Sequence, residues 1–168
     1  MLAHSKSRRT CAMLALILAS TAPVLAGPAP IPLAEETLRE VFTFGPDDTL
    51  KYAECDTKKR PSCSYIWGPT DADDAARIKL GGTPDGNKLV VVYAEARAPE
   101  DFSRVLSSYS DAQPVEDLGV QAVWSPARQQ LSLITQANLI IHVNTQRAGT
   151  ENPMAAAITV ARRLPEIR

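Results

Sequence analysis

Beyond its first 26 residues this chain keeps one histidine, His142, one methionine, Met154, and two cysteines, Cys55 and Cys63. A lone histidine with no nucleophile motif gives little basis for a catalytic or metal centre, and a lone thioether excludes a copper site of the methionine type. Cys55 and Cys63 lack the two-residue spacing that metal and redox pairs prefer, and Ser64 stands where haem attachment would need histidine. Aromatic residues make up 5% of the chain, and no apolar stretch reaches the roughly 20 residues of a membrane span. No motif forces a reaction, a cofactor or a ligand, so no cofactor and no metal are expected.

The chain starts with an export pattern. Lys6, Arg8 and Arg9 form a basic region, Cys11 to Ala19 a short apolar run, and Val24-Leu25-Ala26 before Gly27 a small-residue cleavage site. Residues 1–26 therefore read as a cleaved signal peptide, against the alternative of an uncleaved anchor. Ser7-Arg8-Arg9 hints at twin-arginine export, but Thr10, Cys11 and Ala12 follow where that signal carries bulky apolar residues, which favours general secretion. The expected location is periplasmic or secreted. Cleavage leaves 15 of the 18 basic residues against 19 acidic ones, a net charge of −4 that argues against a nucleic-acid partner. Residues 27–32 form a proline-rich flexible lead-in, and 33–168 have the size of one domain. In an oxidising compartment, Cys55 and Cys63 are expected to form a disulfide around a short loop.

Three strands organise the body. Leu118 to Ser125, Leu131 to Ile134 and Leu139 to Val143 alternate apolar and polar residues across short turns, the mark of an antiparallel meander. Leu50–Glu54 and Cys63–Trp67 read as two further strands joined by the disulfide. Leu89-Val90-Val91-Val92-Tyr93 reads as a central strand buried on both faces. Helices are expected over 33–42, over a short segment within 70–80 capped by Thr70, from Pro99 through Phe102, Val105, Leu106 and Tyr109, and from Pro153 behind an Asn152 cap. The last helix shows Met154, Ala157, Ile158, Ala161 and Leu164 on one side. Asp71, Asp73 and Asp74 invite a calcium reading, but they lack the glycine and glutamate of that loop and suit a first helical turn. The sum is an α+β protein: an αβα sandwich with a mostly antiparallel sheet of about six strands and helices on both faces.

Cys63-Ser64-Tyr65-Ile66-Trp67, the central apolar strand, the helix at Pro99 and Leu118-Gly119-Val120-Gln121-Ala122-Val123-Trp124 together resemble exported domains of the PsbP-like superfamily. That superfamily includes small actinobacterial lipoproteins and the extracellular sensor domain of a mycobacterial kinase. The resemblance implies an αβα sandwich and a binding role without shared catalytic residues. The chain departs from the lipoprotein members in having no cysteine at Ala26-Gly27 to accept a lipid.

The residues singled out for binding are Lys58, Lys59 and Arg60, a basic tip in the disulfide loop, together with Trp124 and His142. They suit a non-catalytic, exported accessory or inhibitor-type protein that contacts another envelope protein. The alternative is a sensory or small-ligand module whose pocket, between sheet and helix, is gated by Gly81 to Asn87.

Overall fold

The computed structural model describes residues 30–58 and 61–167. The expected signal peptide, the start of the lead-in, and Lys59 and Arg60 lie outside the described residues. Seven strands form one antiparallel sheet: β1 (Asp48–Asp56), β2 (Ser62–Pro69), β3 (Asn87–Glu95), β4 (Gln113–Val115), β5 (Gln121–Ser125), β6 (Gln130–Ile134) and β7 (Leu139–Arg147), in the order β1-β2-β3-β7-β6-β5-β4. Among the described residues four α-helices accompany them, α1 (Glu35–Val41), α2 (Asp74–Lys79), α3 (Pro99–Ser107) and α4 (Pro153–Arg163). The class is mixed α/β, and among the described residues no helix is long and apolar enough to cross a membrane.

The meander is present as β5, β6 and β7, with Leu131 facing Trp124 and Val143, and Leu133 facing Ala122 and Ile141. These side chains join the large core cluster, into which α1 sends Leu38 and α4 sends Ala157, Val160 and Ala161. The turn into β5 needs glycine: Gly119 has φ +64°, and a Cβ there would sit 2.6 Å from the Ile134 carbonyl oxygen. The alternate residues behave differently. Ile134 and Ile140 form a separate small cluster with Phe102 of α3, with Val105 and Leu106 packed against it.

Cys55 and Cys63 are bonded and face each other directly across β1 and β2, so the bridge closes the hairpin. Next to it, Tyr65 and Trp67 are fully buried, and the Tyr65 hydroxyl accepts a hydrogen bond from the Leu33 amide at 2.8 Å. That bond pins the start of the domain to the core.

Four expectations need correction. The sheet has a seventh strand, because Gln113–Val115 pairs with β5 in what reads as a loop; Pro114 suits that edge position, where a missing N–H costs no ladder bond. Thr70 does not cap α2. Asp71 and Asp74 organise that turn instead, Asp71 accepting from the Asp73 amide and Asp74 from the Asp71 amide, while Asp74 also meets Lys51 at 2.7 Å. In α4 the buried side is Ala156, Ala157, Val160, Ala161 and Leu164, and Met154 and Ile158 stand only at its margin. Finally, β3 is not covered on both faces. Leu89, Val91 and Tyr93 are buried, but Val90 and Val92 are half-buried.

Candidate functional site

The face of the sheet that carries Val90 and Val92 can be followed by register. One row of cross-strand neighbours runs Asp56, Ser62, Val92, His142, Ser132 and Val123, and the next runs Glu54, Ser64, Val90, Asn144, Gln130 and Ser125. Ser62, Ser64, Val90, Val92, His142 and Asn144 are all half-buried, giving a floor with an apolar stripe along β3 and polar groups to either side. Ser62 and Ser64 side chains make no hydrogen bond among the described residues. At the β1 margin, Glu54 and Asp56 are exposed.

Toward β6 the floor becomes a connected polar network. Asn144 Nδ2 donates to Gln130 Oε1 at 3.5 Å, Gln130 Nε2 donates to the Tyr109 hydroxyl at 2.6 Å, Tyr109 lies 2.9 Å from Ser132 Oγ, and Ser132 Oγ lies 2.8 Å from His142 Nδ1. Gln130 Nε2 also lies 3.3 Å from Ser132 Oγ and 3.3 Å from His142 Nδ1. The arrangement that pairs both hydroxyl protons within the network sends the tyrosine proton to Ser132 and the serine proton to His142 Nδ1. In that arrangement His142 is neutral with its proton on Nε2, and burial pushes its pKa below the ordinary value.

Ser132 and His142 have the separation of a nucleophile and its base. Ser132, however, is fully buried, so no substrate atom reaches its hydroxyl from the floor, and among the described residues no carboxylate orients the imidazole. Elsewhere, Asp71, Asp74 and Asp85 surround the Arg77 guanidinium at 3.6, 3.7 and 2.9 Å, and Lys51 also binds Asp74. The acidic turn is thus neutralised by the chain's own cations.

The structure separates the expected site residues. Trp124 is 5% exposed and packed in the core on the opposite face from His142, so it offers no surface to a partner. His142 lies on the floor. Lys58 is exposed, its amide bound to Asp56 Oδ1 at 2.8 Å, near the far end of the His142 row; three strand spacings put Asp56 about 14 Å from His142. A shallow cleft of about 220 Å³ opens between α3 and the β5–β6 end, lined by Phe102, Val120, Gln121 and Ile134 among others; it touches neither Trp124 nor His142, and the Gly81–Asn87 loop does not border it. Tyr109, Gln130, Ser132 and Asn144 were not foreseen as a group. The signal for three of them was the polar alternation Gln130/Ser132 and His142/Asn144 on adjacent strands, while Tyr109 counts as apolar in a helical pattern.

The network has a measurable consequence. The folded protein binds a proton at His142 less readily than the unfolded chain, whose imidazole has the ordinary value of 6.5. Its stabilising contribution is therefore complete above that value and shrinks as pH falls toward the lower folded value, with a slope of at most about 1.4 kcal/mol per pH unit. Unfolding free energies measured from pH 8 to pH 5 are expected to fall more steeply for the wild type than for His142→Gln. Parallel curves would contradict this.

The chain matches no protein-family model, no curated protein and no solved structure.

Proposed function

We propose that this is an exported, non-catalytic binding protein that contacts another envelope protein through the open floor of its sheet. The carrying observation is the unequal covering of β3, with Leu89, Val91 and Tyr93 buried on one side and Val90 and Val92 left half-buried on the other. A half-covered apolar stripe flanked by half-buried serine hydroxyls is the composition of a protein contact, with an apolar centre and a polar rim. In this reading the fold is a layered αβα sandwich of the PsbP-like kind, with helices on both faces but the second helical layer incomplete, and the partner completes it. The basic tip at Lys58, Lys59 and Arg60 steers the encounter.

Three observations support this over a small-ligand or catalytic role. The cleft is below the roughly 300 Å³ at which ligand pockets begin, it lies away from His142, and the Ser132 hydroxyl is buried. The disulfide suits an oxidising compartment.

The test is capture of envelope proteins by the mature chain. Val92→Arg places a charge in the centre of the stripe and is expected to weaken capture by at least about tenfold, as for loss of an interface hot spot. Alanine at Lys58, Lys59 and Arg60 is expected to slow association and to reduce its salt dependence. Equal capture by wild type and Val92→Arg would remove the floor from the account.

A further inference from the structure

We propose that His142 is a proton sensor that governs how firmly α3 is held to the sheet. α3 is attached at two points. Near its start Phe102 packs with Ile134 and Ile140, a cluster of three buried residues, whereas the opposite face of the sheet holds the main core. Just past its end, Tyr109 enters the polar network, and Arg128 binds the Ser108 carbonyl oxygen at 3.2 Å while lying 4.7 Å over the Tyr109 ring.

Protonation of His142 turns Nδ1 from an acceptor into a donor. Ser132 then accepts from the imidazolium, and only one of the Ser132 and Tyr109 protons can lie in the bond between the two hydroxyls. The other neighbour of both is a donor, Gln130 Nε2, at 2.6 Å from Tyr109 and 3.3 Å from Ser132, so among the described residues the second proton is left without a partner. Turning the Gln130 amide around would relieve this but set its Nε2 against Asn144 Nδ2, and turning Asn144 as well breaks the bonds of Asn144 to the Arg128 carbonyl oxygen and the Gln146 amide. The chain reverses as a whole or opens at Tyr109. A buried hydroxyl left unpaired costs more than an exposed one, so opening at Tyr109, with release of the end of α3, is the response of the acid form.

The surroundings do not offset the new charge. On β3 the neighbour is Val92, and on β7 they are Ile140 and Asn144, none of them ionisable. From the β5–β6 turn comes Arg128, a cation. Asp111, beyond α3, is engaged by Ser125 Oγ and the Ala127 amide, and Asp101 in α3 by Arg104 and the Arg97 amide. Asp56 lies three strands away in the same row. Lowering of the His142 pKa by burial agrees with this arrangement.

The experiment follows amide protection and histidine titration together on the mature protein. Protection factors in residues 102–109, corrected for the intrinsic rate at each pH, are expected to fall between pH 7.5 and pH 5. The fall is expected to be up to about tenfold for each unit separating the His142 pKa in the docked and released states, with β7 unchanged. The midpoint should coincide with the His142 titration observed by NMR in the same samples. In His142→Gln, protection of α3 should not respond to pH, and Tyr109→Phe should show reduced protection already at pH 7.5. Constant α3 protection while His142 titrates would overturn the proposal. So would an absence of His142 titration across this range, or a wild-type pH response retained in His142→Gln. The two wild-type measurements decide the matter even if a variant fails to fold.

Discussion

Replacing Trp67 by alanine is expected to lower the unfolding free energy by about 3 to 5 kcal/mol, the cost of deleting a large buried aromatic and leaving a cavity. Trp67 is fully buried, with Phe42 at 5.0 Å and Phe44 stacked at 5.3 Å between ring centroids, and Arg39 lies over the outer face of Phe44 at 4.4 Å. The indole therefore joins β2 to the segment after α1, and its loss is felt in both. Trp67→Phe is expected to be much milder. The Trp67 Nε1 hydrogen is buried with no hydrogen-bond partner among the described residues, and removing an orphaned donor recovers about 1 to 3 kcal/mol against the packing that is lost. Urea unfolding of the two variants checks the pair. Equal losses would contradict this account, because phenylalanine keeps much of the buried volume that alanine gives up.

Removing the bridge with Cys55→Ala and Cys63→Ala together is expected to cost about 2.5 kcal/mol, from the entropy that a cross-link over eight residues removes from the unfolded chain. Alanine is apt at Cys63, which is fully buried. The damage should concentrate in β1. That strand sits at the sheet edge, its register shifts between Leu50 and Tyr52, and it carries Lys51 to Asp74. Adding a thiol reductant should lower wild-type stability to that of the double variant and leave the variant unchanged. A wild type indifferent to reductant under denaturing conditions, or a double variant as stable as wild type, would contradict this.

Much of this fold is legible where the pattern has a physical period. The alternation of Leu131, Leu133, Ile141 and Val143 fixes one face of the meander, and Asn152-Pro153 marks the start of α4, where Asn152 Oδ1 does accept from the Ala155 amide. The misses have reasons too. β4 has three residues that bury nothing fully, so there was no alternation to see. The run from Leu89 to Tyr93 is apolar at every position, and apolar content alone cannot tell whether a second layer lies over it. In α4, small alanines fill both sides of the stripe, so its centre shifts with only a small change in pattern. The polar network was hidden for a different reason. Its five members come from two strands and the chain just after a helix, and only pairing of Ser132 with His142 brings them together.

A photo-reactive side chain at position 92 tests the central idea most directly, with one at Thr159, exposed on α4, as the reference. Irradiation in intact cell envelopes is expected to give a single discrete adduct from position 92 and none of that mass from position 159. Adducts of the same mass and yield from both positions, or none from position 92 while position 159 reacts, would contradict a partner seated on the open sheet.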